Sequence, residues 1–396
     1  MRILIVTSRY PYPTWRGNQV RTAEWLEALQ DHELVLMSPS NQGLRDDPRL
    51  ARLGVRLRSY STGMVQRPLA IAASQVSGHP IQEGLYATGS GRRAVERELR
   101  DWRPDLVVVQ MVRCAWAGDV VQRLETETPV LFDAIDAMGL HFERAAQSVP
   151  WALRGIYRRE AARCRARETA LARCAALTTA VSARDLRAIA TNRALVVPVA
   201  ARESPAATPS ERAPAVLLSG NLGYRPTVEG AEWFAREVWP EVRRQVPGAI
   251  WTLAGARPAP SVRRLSRIEG VFVHPNVPDL APYLGAAAVA IAPMATGSGV
   301  PMKVLEAWAA GVPVVGHPWM AGGVESEARA AMVVAESAEE WRCALISLLS
   351  DREKARKRIA LGREAWRRWY HPEAVARLIR RAVEIAAEQE NLTPAV

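Results

Sequence analysis

AIAPMATGSGVPMKVLEAWAAGVPVVG, residues 290–316, reads as a strand, a glycine loop, a helix and a second strand. Val289 to Ile291 supply the first strand and Gly297, Ser298 and Gly299 the loop. Pro301 takes the first helical position, Gly311 closes the helix, and Pro313 to Val315 begin the next strand. Such a unit aims the free N–H groups of a helix start beyond the strand ends, where the helix dipole favours phosphate. Lys303, in the first turn, opposes that dipole unless an anion is there too, and Glu306 shares its face three residues on. The competing reading is a plain turn followed by an exposed Lys303–Glu306 pair worth a few tenths of a kcal/mol.

Outward from this unit, short apolar runs alternate with longer amphipathic ones, the pattern of parallel sheets covered by helices. In the first half the predicted strands are Ile3 to Val6, Leu34 to Met37, Leu106 to Val109, Val130 to Phe132, Leu177 to Thr179 and Leu195 to Val197. In the second they are Ala215 to Leu218, Ile250 to Ala254, Val271 to Val273, Val289 to Ile291, Pro313 to Val315 and Met332 to Val334. At 396 residues the chain exceeds one ordinary core, and the stretch around Pro198 to Pro214, rich in Pro, Ala and Ser, is its best linker. The expected division is a first α/β domain over 1–198, a linker over 199–213, a second α/β domain over 214–371, and a basic helical tail over 372–396 that crosses back to the first domain.

The head of the second half, LLSGNLGYRPTVEGAEWF, repeats the opening logic. Gly220, Asn221 and Gly223 form a loop, a helix is expected to open near Thr227, and Arg225 just before it suits bidentate contact with phosphate. Two anion-binding helix starts in one domain imply a diphosphate. In the first half, Gly17 and Asn18 open a helix carrying Arg21, beyond the end of the first strand where ligands of open α/β sheets bind. A solvated first turn is the competing reading there. The missing G-x-G-x-x-G excludes a dinucleotide fingerprint.

Composition narrows the classes further. Cys114, Cys164, Cys174 and Cys343 have neither zinc-ligand nor C-x-x-C spacing, which suits a reducing cytoplasm without a disulfide framework. MRILIVTSRYPYP has too short an apolar run for a signal peptide. Ala281 to Met302 is uncharged over a membrane-spanning length, but Pro282, Pro293, Pro301 and the glycine loop exclude a spanning helix. The formal charge is +11, with arginine dense between Trp151 and Cys174 at 154, 158, 159, 163, 165, 167 and 173. No zinc-finger or RRM signature accompanies it, so nucleic acid is not the expected partner. A solvated helix face and peripheral contact with an anionic membrane both fit.

Taken together, these segments resemble the GT-B glycosyltransferases and, within them, the retaining enzymes of family 4. The resemblance rests on SRYPYP and RGN in the first domain, and on GNLGYRPTVEGAEWF, TLAGARP, VFVHPNVPDLAPYL and GSGVPMKVLEAWAAGVPVV in the second. LEAWAAGVPVV is similar to the family's glutamate-helix motif almost residue by residue. The G-S-G-x-x-x-K-x-L-E-A pattern and DAIDAMGLHFERAA, from Asp133, look closest to the exopolysaccharide-associated branch.

The resemblance implies an α/β protein with two Rossmann-like doubly wound domains facing a cleft, with a nucleotide-diphosphate-sugar in the second and an acceptor in the first. Glu306 would hydrogen-bond the ribose, while the Gly297 to Gly299 backbone and Lys303 would hold the diphosphate or the sugar. Asn276, Val277 and Leu280, with Ala254 to Pro258, would border the base.

Three positions depart from the family. Ser298 stands where a second glutamate is usual, Asn221 and Pro226 where many members carry Arg and Lys, and Gln110 where many carry His. Arg225 and Lys303 are therefore the expected source of positive charge, and Gly17, Asn18, Arg21, Gln110 and Arg113 mark the acceptor side. The implied reaction is sugar transfer with retention to a sugar, a lipid-linked glycan or a small molecule. It uses no cofactor and no metal, in the cytoplasm or at the inner face of the membrane. A nucleotide-sugar 2-epimerase-like isomerase and a non-catalytic nucleotide-sugar-binding module are the alternatives.

Overall fold

Seven parallel strands form the first sheet and six the second. In the first, β1 (Arg2–Val6), β2 (Glu33–Pro39), β3 (Arg56–Tyr60), β4 (Leu106–Gln110), β5 (Val130–Ile135), β6 (Leu177–Ala180) and β7 (Ala194–Val196) lie in the order 3-2-1-4-5-6-7. In the second, β8 (Ala215–Asn221), β9 (Ile250–Ala256), β10 (Val271–Pro275), β11 (Val289–Ala292), β12 (Val314–Gly316) and β13 (Met332–Val334) lie in the order 10-9-8-11-12-13. Both are doubly wound, and the winding reverses between β1 and β4 and between β8 and β11. At these reversals Ile3 pairs with Leu106 and Val289 with Val216. The computed structural model describes residues 1–14, 17–40, 47–63, 66–204, 213–296 and 300–388.

The apolar runs form strands because both faces of each sheet are covered. On one face of the second sheet Val216, Leu218, Trp251, Leu253, Val289 and Ile291 pack with Phe234, Trp239 and Trp341. On the other, Leu217, Ala254, Ala290, Ala292 and Val314 pack with Leu305, Trp308 and Trp366. Helix Met302–Ala309 belongs to this second face, burying Val304, Leu305, Ala307 and Trp308 and leaving Lys303 and Glu306 off the core stripe. Burying a side chain such as Leu305 contributes roughly 2 kcal/mol.

Every strand expected from the sequence is present, and β3 is an addition. Its sequence, RLRSY, is mostly exposed at the edge of the first sheet, so it lacks the apolar run that marks the interior strands.

The chain divides into two units, Met1–Val199 joined by the chain from Val375 onward, and Ala200–Ala374. In the first, helix Pro372–Glu388 buries Val375, Ile379, Val383 and Ala386, and Arg380 Nε donates to the Ala28 carbonyl at 3.0 Å. In the second, Ala201 is fixed by donation of its N–H to the Tyr370 carbonyl at 2.9 Å and by Trp366 Nε1, which donates to its carbonyl at 2.8 Å. Among the described residues no helix is long and apolar enough to cross a membrane.

Candidate functional site

The strand ends around the β8/β11 reversal are laced together by backbone. A Cβ at Gly255 would lie 1.7 Å from the Gly220 carbonyl oxygen, and one at Gly223 would lie 2.4 Å from that of Arg257. Only glycine permits these approaches. Asn221 Oδ1 accepts the Gly223 N–H at 3.1 Å, and Asn276 Oδ1 accepts that of Arg257 at 2.8 Å. Asn276 itself has φ +54° and donates its N–H to the Gly255 carbonyl at 2.6 Å. Val277 and Leu280, after β10, rest against the apolar cluster that contains Trp308.

Lys303 reaches into this frame from the first turn of helix Met302–Ala309. Its Nζ lies 3.4 Å from Met294 Sδ, just past β11, and 3.9 Å from where a Cβ on Gly220 would stand, at the end of β8. The ammonium therefore sits at the point where the winding of the second sheet reverses. Thioether sulfur is a weak acceptor, and among the described residues no carboxylate is within ion-pair distance of it. Burial lowers its pKa from 10.5 to about 8, with partial compensation from Glu306. Burial likewise raises the half-buried Glu306 from 4.5 to about 7, opposed by Lys303. A desolvated cation and carboxylate on one helix face, beside a helix start with no side-chain cap, form a site electrically suited to an anion.

Local corrections follow from the geometry. Pro301 is the N-cap of this helix, not its first residue, and Gly311 follows its end at φ +64° as expected. Gly297, Ser298 and Gly299 lie outside the described residues. The helix expected near Thr227 opens two residues earlier, at Arg225. Arg225 is exposed, and its Nε donates to Glu229 Oε1 at 2.7 Å, one helical turn along, so here the guanidinium is engaged by a carboxylate.

The acceptor-side expectations in the first unit fare differently. Arg21 is not turned to solvent or ligand: it is fully buried, with Nε and Nη2 donating to Asp133 at 3.2 and 3.0 Å and Nη1 to the Pro198 carbonyl at 2.8 Å. Asp133 also accepts from Gln110 Nε2 at 3.2 Å and from Thr179 Oγ1 at 2.8 Å. Gln110, whose Oε1 accepts from Thr22 Oγ1 at 2.7 Å, is a buried member of this network and is not open to an acceptor. Asp133, the hub, is not among the expected site residues, although an acid directly after the apolar run Val130 to Phe132 is a readable sign. Gly17 does open its helix, Asn18 follows with its buried Nδ2 unpartnered among the described residues, and Arg113 Nε donates to Gln82 Oε1 at 2.9 Å.

Comparison with known proteins bears on the second unit and on the fold. No curated protein matches the chain. Among solved structures, sucrose-phosphate synthase from Thermosynechococcus elongatus superposes with a TM-score of 0.65 at 17% identity, over 96% of this chain and 98% of that one. Anabaena HepE in complex with UDP-glucose gives 0.64 at 11% identity, over 97% and 100%. The α,α-trehalose 6-phosphate synthase of Burkholderia multivorans gives 0.63 at 11% identity, over 100% and 99%. At such identities the likeness is one of fold, that of the GT-B glycosyltransferases. Residues 213–351, within the second unit, match the model of the family described as Glycosyl transferases group 1.

Proposed function

We propose that the protein is a retaining glycosyltransferase of family 4, near the exopolysaccharide-associated branch. It takes a sugar from a nucleotide-diphosphate-sugar and passes it to a sugar, lipid-linked glycan or small-molecule acceptor held by the first unit. One observation carries the reading: the Lys303 ammonium stands desolvated at the winding reversal of the second sheet, with no carboxylate within ion-pair distance among the described residues. The fold shared with a protein solved with UDP-glucose supports the donor class.

In this reading Lys303 and the amides at its helix start hold the diphosphate, Glu306 bonds the ribose hydroxyls, and Val277 and Leu280 border the base. Gly220, Asn221, Gly223 and Asn276 complete the donor pocket. As the bond from the anomeric carbon to the phosphate oxygen breaks, positive charge grows on the carbon and negative charge on the leaving oxygen. Fixed positive charge at that oxygen lowers the barrier. The departing phosphate takes the acceptor's proton, so the protein supplies neither nucleophile nor base, and we assign no metal or cofactor a part. Arg225 joins the site only by releasing Glu229.

Incubation with UDP- and GDP-sugars tests the reading. Slow release of nucleotide supports a transferase; a new sugar epimer in place of free nucleotide would make it an isomerase, and binding without turnover would leave only a binding module. Glu306→Ala should lower kcat/KM tenfold to a hundredfold, the worth of a hydrogen bond to a charged group, while the protein still folds. Wild-type kinetics in this variant would remove Glu306 from the donor site.

The pH dependence of binding has a definite sign. A diphosphate favours the ammonium, so its binding raises the Lys303 pKa from about 8. Affinity for UDP should therefore decline as pH rises above about 8, with proton uptake seen as a buffer-dependent heat in titration calorimetry. Lys303→Arg, which keeps its charge throughout this range, should flatten the profile. The same decline in that variant would assign the titration to another group.

A further inference from the structure

Arg9, Arg113, Asp136 and Arg184 follow the carboxyl ends of β1, β4, β5 and β6, which lie side by side across the winding reversal of the first sheet. All of them are half-buried. Val6 pairs with Val109 and Gln110 with Asp133, so Arg9, Arg113 and Asp136 leave neighbouring strands at nearly the same level. Strands of one sheet run about 4.8 Å apart, which confines these groups to a short stretch of edge. Open α/β sheets bind their ligands at that edge, by the reversal.

Two of the cations there lack anions. Gln82 Oε1 accepts from Arg113 Nε at 2.9 Å, but Nη1 meets only Met111 Sδ, at 4.0 Å, and Nη2 is unbonded among the described residues. The Arg9 guanidinium makes neither a hydrogen bond nor an ion pair among them. Burial lowers the Arg113 pKa; Tyr86 opposes the shift and the charge of Arg9 adds to it. Both guanidiniums stay charged at any ordinary pH, so their repulsion persists until an anion joins them.

The acids of the neighbouring loops are already engaged: Asp47 by Arg49, Asp133 by Arg21 and Asp185 by Ser182. Asp136 is the exception, with no hydrogen bond or ion pair among the described residues. Burial and the charge of Asp185 raise its pKa, against Arg184 and Arg113. The backbone is strained where it aims these groups. Met111, two residues before Arg113, has φ +64° and ψ 157°, a region that favours glycine, and Ile135, directly before Asp136, is β-branched at φ +62°. Such conformations concentrate at ligand clamps.

We propose that Arg9 and Arg113 bind a phosphate group and that Asp136 accepts a hydrogen bond from a hydroxyl of the molecule carrying it. The first unit then takes a phosphorylated, hydroxyl-bearing acceptor. Two forks from two strands suit a phosphate, whereas one fork satisfies a carboxylate. Calling the ligand an acceptor rests on the glycosyltransferase reading above; the site itself does not.

Titration calorimetry on the full chain saturated with UDP, which fills the donor site, tests the proposal. Glucose 6-phosphate should bind, and glucose at the same concentration should not. Geranyl phosphoglucose carries a similar head on a lipid: tighter binding than glucose 6-phosphate assigns the phosphate to a lipid-linked acceptor, weaker binding to a soluble sugar phosphate. Arg9→Ala, which breaks no internal hydrogen bond, and Arg113→Ala should each weaken glucose 6-phosphate binding about tenfold or more. Arg9→Lys, which keeps the charge without the fork, should fall between wild type and Arg9→Ala. Asp136→Asn should bind inorganic phosphate more tightly, by losing a repulsion, yet narrow the advantage of glucose 6-phosphate over inorganic phosphate, which a purely structural role would not do. Failure of both phosphorylated sugars to bind, or Arg9→Ala binding as the wild type does, would overturn the proposal. Should UDP itself fail to bind, the donor reading falls, and titration of glucose 6-phosphate without nucleotide still decides this one.

Discussion

Lys303→Met should reduce donor turnover on the order of a hundredfold to a thousandfold, the loss seen when one charge-stabilising donor is removed from a transition state. The same change should leave the fold no less stable, and at neutral pH more so. Methionine keeps the apolar stem beside Met294 and Gly220 while removing a charge that burial disfavours.

The sign follows from the shifted groups. Lys303 has a folded pKa of about 8, below its ordinary 10.5, so its penalty is complete below pH 8 and fades as pH rises to 10.5. Glu306 is raised from 4.5 to about 7, so its penalty is absent below pH 4.5 and complete above 7. Between about pH 7 and 8 both act, offset in part by mutual attraction. Melting temperatures of wild type and variant should therefore differ at pH 7 and converge toward pH 10.5. A folded Lys303→Met enzyme with normal turnover would end the donor assignment.

Asp133→Ala carries the largest expected stability effect, about 3–5 kcal/mol, because it leaves the Arg21 charge buried without its partner. Gln110 and Thr179 lose an acceptor in the same step. Against a typical total of about 5–15 kcal/mol, such a loss brings the first unit close to unfolding. Urea unfolding measures it directly. Replacing both partners, Arg21→Met with Asp133→Leu, should restore much of the loss, since an apolar pair leaves no stranded charge. A single-variant loss under about 1 kcal/mol would show that water or rearrangement reaches the arginine.

How far the sequence could be read depended on where each interaction partner lies. β1, β4, β8 and β11 were legible because strands covered on both faces keep continuous apolar runs, whereas β3, open to water at an edge, does not. Lys303 stood out because its conflict with a helix dipole is local. The fate of Arg21 did not, because the carboxylate that buries it is 112 residues away and a charged residue in a first turn reads as solvated. Arg225 is the opposite case: Glu229, four residues on in RPTVE, was visible as a helix partner and competes with any phosphate for the guanidinium.

The split make-up of the first unit, whose Pro372–Glu388 helix arrives only after the whole second unit, has a consequence for biosynthesis. A chain emerging from the ribosome can complete Ala200–Ala374 as one contiguous stretch. The surface that receives Val375, Ile379 and Val383 must wait, bare, until the helix Pro372–Glu388 has been made. The unit begun first is thus completed only after the unit begun second.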